Sequence, residues 1–359
     1  MVCNTKKTTI ILMLILSFVL ISFPEIGIVK ADGPIYIKAD GSVEGTDKIQ
    51  RNGNVYTFTG NIYGSVVVEK DSIVIDGVGY TLQGNGSGRG VDLVRRIGVT
   101  IQNLQIKNFT HGIHQPINAT INGNYITNNE YGIFLASNNT ITGNTFANNN
   151  EGIGLHLASN YNFISGNNIT KNNQGIGLWL SEGNIFLENE ITANVVNGIL
   201  VAASSNNTII GNNITKNAYG IWINQFSVYN NVTGNNITRS EIGIMIEGSL
   251  NNTIYNNNLD NQKQVDINDT LADEVISINI WDNGKDGNYW SDYTGTDSDG
   301  DGKGDTPYVI DENNQGNYPL VNVIPEFPSW VILPLLFVAA LVIIICKKRL
   351  PKTPNNQSY

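Results

Sequence analysis

The stretch Ile164-Ser165-Gly166-Asn167-Asn168-Ile169-Thr170-Lys171-Asn172-Asn173-Gln174-Gly175-Ile176 decides the fold of this chain. Short runs centred on isoleucine alternate with corners of Gly and Asn. The runs have the period of two expected of strands with one buried face. Gly and Asn reach positive φ cheaply and so suit tight corners. Working outward, the Gly-Ile pair recurs at Gly112, Gly132, Gly152, Gly175, Gly198, Gly220 and Gly243, at spacings of 20, 20, 23, 23, 22 and 23 residues. An Asn column moves in step at Asn124, Asn144, Asn167, Asn189, Asn212, Asn235 and Asn257, and a weaker one runs from Asn129 to Asn217 and closes at Ser240. Strands this short cannot bury an apolar face alone and must stack on the next repeat. Stacked coils set equivalent positions about 4.8 Å apart. The Ile column then becomes a continuous core, and the Asn amides bond from coil to coil. The expected fold is an all-β, right-handed parallel β-helix. Leucine-rich repeats would need a Leu scaffold and the left-handed hexapeptide solenoid a six-residue subperiod, and neither is present.

The ends carry different signals. Lys6 and Lys7 precede an apolar run from Thr8 to Phe23, followed by Val29-Lys30-Ala31, the order of a secretory signal. Trp330 to Cys346 is apolar apart from Pro334 and is followed by Lys347-Lys348-Arg349. That length is at the short limit for spanning a hydrocarbon core of about 30 Å, and the basic stop stays cytoplasmic. The expected organisation is a signal peptide (1–31), an N-terminal cap with the first coils (32–97) and β-helix repeats (98–267), which end where Val265-Asp266-Ile267 replaces Gly-Ile. An acidic C-terminal cap (268–323), a short Pro-containing stalk (324–328), a transmembrane helix (329–346) and a cytoplasmic tail (347–359) follow. The body is therefore expected outside the cell, on a single-pass anchor. Cys3 and Cys346 fall in the terminal segments, leaving the body without a disulfide; a chain of this size buries a core without staples.

Net charge is −10, and its location matters more than its size. Between Asp260 and Glu312 stand 14 acids and 3 bases, while the coils are close to neutral. No basic stripe exists to meet phosphates, which excludes nucleic acid as a partner. Within the acidic stretch, Asp297, Asp299, Asp301 and Asp305 alternate with Ser, Gly and Lys, like the first nine positions of an EF-hand loop. Position twelve is Tyr308 rather than Glu, and Asp311 is a later ligand candidate. The expectation is a structural Ca²⁺ clamp, with no organic cofactor.

Where Ile after each Gly points inward, the next residue points out. That row reads Phe134, Gly154, Gly177, Leu200, Trp222 and Met245, with His156 and Trp179 two positions further along their strands. A row of exposed rings marks a binding surface, so Phe134, His156, Trp179 and Trp222 are the candidate ligand-binding residues. The catalytic candidates are Glu130 and Glu151, one coil apart ahead of Gly132 and Gly152; the later coils carry no carboxylate there. His111 and His114 offer two metal ligands without a third nearby. No nucleophile motif, phosphate loop or cofactor fingerprint is present. Eleven Asn-X-Ser/Thr sequons run from Asn85 to Asn268 and suit an exported glycoprotein.

The Gly-Asn-Asn-Ile-Thr and Gly-Ile coils, with Gly287-Asn288-Tyr289-Trp290-Ser291-Asp292-Tyr293 and Gly304-Asp305-Thr306-Pro307-Tyr308, resemble the NosD-like family of parallel β-helix proteins. The resemblance spans about Val55 to Leu320. Its coils are similar to those of carbohydrate-binding and sugar-hydrolase β-helices. Pro325-Glu326-Phe327 before the apolar segment looks like an archaeal cell-surface sorting signal, which implies cleavage and lipid replacement. The family implies a role in copper delivery to nitrous oxide reductase. One Met and three His in the exported region support copper poorly. The expected function is binding of polysaccharide or envelope glycan without turnover. The alternatives are a polysaccharide lyase or glycosidase, or an architectural envelope protein or copper-delivery NosD-type accessory protein.

Overall fold

A computed structural model describes residues 33–269 and 275–325. The expected signal peptide, transmembrane helix and tail lie outside these residues, as does most of the stalk. Among the described residues no helix is long and apolar enough to cross a membrane.

The chain winds as a right-handed parallel β-helix of about ten coils. Each coil gives one strand to each of three sheets, here called B, C and A in the order the chain visits them. Thr140–Thr142 (B), Thr145–Ala147 (C) and Glu151–His156 (A) form one such coil. Each strand pairs in parallel with its equivalent one coil on, so that Ile141 sits on Ile164, Phe146 on Ile169 and Ile153 on Ile176. The stacked sheets contain 11, 11 and 12 strands, more than enough to make the solenoid the dominant architecture.

The core is a set of such columns, completely buried. Sheet A supplies two: Ile133, Ile153, Ile176, Ile199, Ile221 and Ile244, then Leu155, Leu178, Val201, Ile223 and Ile246. Burying one such side chain is worth about 1.5–3 kcal/mol, so each added coil carries its own stabilisation. The Gly of each Gly-Ile pair is needed for close approach: a Cβ on Gly152 would lie 2.6 Å from the carbonyl oxygen of Gly175 in the next coil.

Corners are closed by side-chain ladders. Asn167 donates from Nδ2 to Asn189 Oδ1 at 3.0 Å and to Ile141 O at 2.9 Å, and its backbone N–H meets the same Asn189 Oδ1. The column from Asn129 repeats this at the next corner. Two further ladders escaped the sequence reading. One runs through Asn139, Asn162, Asn184, Asn207, Asn230 and Asn252, and the other through Ser159, Ser181, Ser204, Ser227 and Ser249.

Both ends are covered, as bare strand edges must be. At the N-terminal end Ile49–Asn52 and Val55–Phe58 pair antiparallel, and the Tyr56 hydroxyl donates to Gly41 O. Past residue 267 the ladders run on through Asn279, Asn288 and Asn314, and Tyr289–Trp290 adds a strand to sheet C. Trp281 and Trp290 close the core there, with Tyr308 stacked on Trp290 at 4.1 Å.

Candidate functional site: the outer face of sheet A

Register places the predicted row. Phe134, Gly154, Gly177, Leu200, Trp222 and Met245 are successive partners, and His156, Trp179, Ala202, Asn224 and Glu247 form the parallel row beside them. Phe134 and His156 have ring centroids 5.4 Å apart, and Trp179 lies on the coil after His156. Trp222 stands two coils further, in the Phe134 row, against Tyr219 at 5.2 Å. Three of the four candidate ligand residues are therefore brought together and the fourth extends the face.

The carboxylate pairing expected from sequence is not what the register shows. Tyr131, not Glu130, is the partner of Glu151, and Glu130 is exposed one position off the row. Glu151 is only 6% exposed, and its two oxygens lie 3.0 and 3.2 Å from His156 Nε2. Burial raises the Glu151 pKa above the ordinary carboxylate value, opposed by the hydrogen bond and charge of His156. The space for this carboxylate comes from missing side chains: a Cβ on Gly177 would meet Glu151 Oε1 and Gln174 Nε2, and one on Gly154 would lie 3.2 Å from Glu151 Oε1.

All three histidines fall in one cluster. His111 packs edge-on against His114 at 4.7 Å and stacks on Tyr131 at 5.2 Å, and Tyr131 meets His156 at 5.9 Å. Burial, then Arg89, lowers the His111 pKa, and the same causes push His114 down to about 4. Both are neutral rings at neutral pH. The corner that follows sheet A exposes Leu157 (74%), Leu180 and Phe226, all with positive φ. Large side chains are rarely held in that backbone region. This apolar ridge beside Trp179 was missed in the sequence, because nothing in the repeat distinguishes a corner Leu from a core Leu.

Unpaired polar atoms concentrate on the same face. Among the described residues six buried side-chain polar atoms have no hydrogen-bond partner, and four belong to sheet A: His114 Nδ1, Asn197 Oδ1, Trp222 Nε1 and Asn224 Oδ1. Buried polar groups are normally paired, so these four atoms concentrate unmet hydrogen-bonding capacity on this sheet.

The acidic loop is separate. Asp297, Asp299 and Asp301 bring one carboxylate oxygen each within 4.8 Å of the others. Asp305 turns instead to the hydroxyls of Ser298 and Thr296, and Asp311 bonds Asn314 Nδ2.

A model of the family described as periplasmic copper-binding protein (NosD) matches residues 28–168 and 154–295. The chain belongs to the NosD family. Among curated proteins, none matches this sequence. Several solved structures are similar to this NosD-family chain. The A-module of mannuronan C-5 epimerase AlgE6 from Azotobacter vinelandii is 16% identical, over 66% of this chain and 77% of that one, with a TM-score of 0.46. A mutant of the periplasmic alginate epimerase AlgG is 18% identical over 69% and 76%, with a TM-score of 0.45. Pectate lyase Pel9A is 14% identical over 71% and 81%, with a TM-score of 0.42.

Copper, which the family's description implies, does not fit the described residues of this NosD-family chain. Among the described residues the soft or imidazole donors it prefers are His111, His114, His156 and Met245. His111 and His114 lie side by side, with the aromatic rings of Tyr131 and Phe134 between them and His156, and Met245 stands four coils beyond Gly154 in the Phe134 row. The one group of three or more ligating side chains with metal spacing among the described residues is Asp297, Asp299 and Asp301, a hard oxygen set.

Proposed function

We propose that this protein binds a glycan along the outer face of sheet A, without turning it over. The carrying observation is the set of unpaired atoms on that face, His114 Nδ1, Asn197 Oδ1, Trp222 Nε1 and Asn224 Oδ1. Sugars are the ligand class that supplies hydroxyl donors and acceptors together with flat C–H faces for rings. Trp179, 38% exposed beside the Leu180 ridge, provides the ring.

Binding rather than hydrolysis is supported by the carboxylates. Glycosidases set two of them about 5–9.5 Å apart across the scissile bond. On this face Asp92 lies three coils before the Glu151 strand in the Phe134 row and Glu247 four coils beyond it in the His156 row, roughly 14 and 19 Å at the strand spacing, while Glu130 stands off the row at the exposed corner ahead of Tyr131. In this reading the body is exported and displayed by the C-terminal apolar segment, with Asp297, Asp299 and Asp301 holding Ca²⁺ in the cap.

A glycan array run beside a turnover assay tests the proposal. Retention of at least one glycan by the full-length protein, weakened in Trp179→Ala and with no sugar released, is the expected result. Release of unsaturated or reducing sugars would assign the face to a lyase or glycosidase instead. Absence of any bound glycan leaves the architectural reading.

A further inference from the structure

The charge of sheet A narrows the glycan class. The strands Tyr131–Phe134, Glu151–His156, Gln174–Trp179, Asn197–Ala202, Tyr219–Asn224 and Ile242–Glu247 contain no Lys or Arg. Their charged side chains are Glu151 and Glu247, with His156 the one base. The nearest basic strand residues belong to the ends of the face and are already paired, Arg89 with Asp92 and Lys263 with Asp266. Lys171, Lys216 and Arg239 stand at exposed corners ahead of the strands, not in them. A polyuronate, with one carboxylate per sugar, would lie along these six strands against acidic and orphaned polar groups, with no Lys or Arg in the strands to meet it. Like-charge juxtaposition of that kind is what excludes wrong partners.

The same face has a place for a positive group. Glu151 lies over the two glycines of the floor with His156 as its partner and no Lys or Arg beside it. The rings of Tyr131 and Phe134 flank His156 at 5.9 and 5.4 Å. A carboxylate whose histidine partner is flanked by aromatic rings suits an ammonium ion, which gains from both the charge and the ring quadrupoles. We infer that the glycan bound by sheet A contains amino sugars, with the protonated amine of one residue held by Glu151 against the Tyr131 and Phe134 rings. This inference rests on the glycan-binding reading above and names its ligand class.

Titration calorimetry of the full-length protein separates the two. The probes are equal-length oligomers of β-1,4-linked glucosamine, of its N-acetylated form and of galacturonate, at a pH where the free amine is protonated. The glucosamine oligomer is expected to bind about tenfold tighter than the acetylated one, the size of one charge-assisted contact, and the galacturonate oligomer not measurably. Glu151→Gln is expected to remove that preference, with its melting temperature measured to establish that it folds. Equal affinity for amine and acetylated forms, binding of galacturonate as tight as glucosamine, or an amine preference that survives Glu151→Gln each overturns the inference. Wild-type selectivity alone decides if the variant does not fold. Binding of the acetylated oligomer that is lost in Trp179→Ala, with no amine preference, removes the amino-sugar assignment and keeps the glycan face. Failure of all three oligomers, together with a blank glycan array, sinks both.

Discussion

Both carboxylate oxygens of Glu151 lie within 3.2 Å of His156 Nε2, although the two residues are an odd number of positions apart on one strand. Strict strand alternation would send them to opposite faces. The break is at Gly152, which has no partner of its own in the ladder between Tyr131–Glu151 and Ile133–Ile153. It turns Glu151 outward while Ile153 stays in the core. His156→Ala should therefore leave a nearly buried carboxylate unpaired, at about 1–3 kcal/mol. Urea unfolding of His156→Ala, Glu151→Gln and the double variant measures the coupling. Additive effects would show that the two side chains are independent.

Glycines of the two rows should respond differently. A Cβ on Gly152 would strike the Gly175 carbonyl oxygen at 2.6 Å, a backbone contact that cannot yield without separating the coils. A Cβ on Gly177 would strike the ends of the Glu151 and Gln174 side chains, which can move. Gly152→Ala should cost about 1–3 kcal/mol as an overpacked core does. Gly177→Ala should cost well under about 1 kcal/mol and weaken glycan binding instead. Equal destabilisation by the two substitutions would mean that the close approach of the coils is not what selects glycine.

These contrasts explain how much could be read from the sequence. The Ile153, Ile176 and Ile199 column and the Asn167 ladder were legible because stacking forces identical residues to one period. The Asn139 and Ser159 ladders obey the same period, but Asn and Ser are common in every corner and so stood out less. The Glu151–His156 pair was invisible. It depends on a backbone break at Gly152, and reasoning from alternation placed Glu130 beside Glu151 when the register partner is Tyr131. The orphan atoms of Asn197 and Trp222 are a property of packing, and no residue pattern announces an absent hydrogen bond.

The Asn ladder gives a stability prediction. Asn189 accepts from Asn167 N and Nδ2 and donates from Nδ2 to Ile164 O and Asn212 Oδ1, all buried. Asn189→Ala leaves at least two of those groups without partners, and the expected loss is about 2–6 kcal/mol at about 1–3 kcal/mol for each orphan. Asn189→Asp keeps the acceptor, loses the donor and adds a buried charge, so it should be no better. Denaturant midpoints compare them. A loss below about 0.5 kcal/mol for Asn189→Ala would show that the corners hold without the amide.

Acid should loosen the site coils through His114. Its pKa falls from 6.5 to about 4, chiefly by burial, with Arg89 and His111 adding to it. The unfolded chain takes up a proton near 6.5 and the folded chain does not until about 4. Stability from this residue is therefore complete above about pH 6.5 and is lost as pH falls toward 4, up to about 3 kcal/mol. His111, lowered in the same direction, adds to the loss. Glu151 has the opposite sign: its raised pKa favours the folded state at low pH and is lost as pH rises through the folded value. Unfolding free energies at pH 7 and pH 4.5 should differ less in His114→Gln than in the wild type. Parallel pH profiles would remove His114 as the cause.

The acidic loop makes the last prediction. Asp297 is already committed to the loop, accepting from the backbone N–H groups of Gly300, Asp301 and Gly302, while Asp299 and Asp301 are exposed beside it. With Asp305 held by Ser298 and Thr296, and Asp311 by Asn314, a cation finds three carboxylates rather than five. Ca²⁺ takes six to eight oxygens, so backbone carbonyls and water must fill the sphere, and affinity should be weak, near the 10⁻⁴–10⁻³ M of extracellular modules. The loop is tied to the last coil, since Val321 N–H donates to Gly302 O and Lys303 pairs with Asp286 at 3.4 Å. Binding should thus stabilise the cap as mass action requires, by about 1.4 kcal/mol at tenfold excess over the dissociation constant. Millimolar Ca²⁺ should raise the melting temperature of the wild type, chelator should reverse it, and Asp299→Asn should abolish the response. A melting temperature that ignores both Ca²⁺ and chelator would leave the three aspartates as a solvated turn.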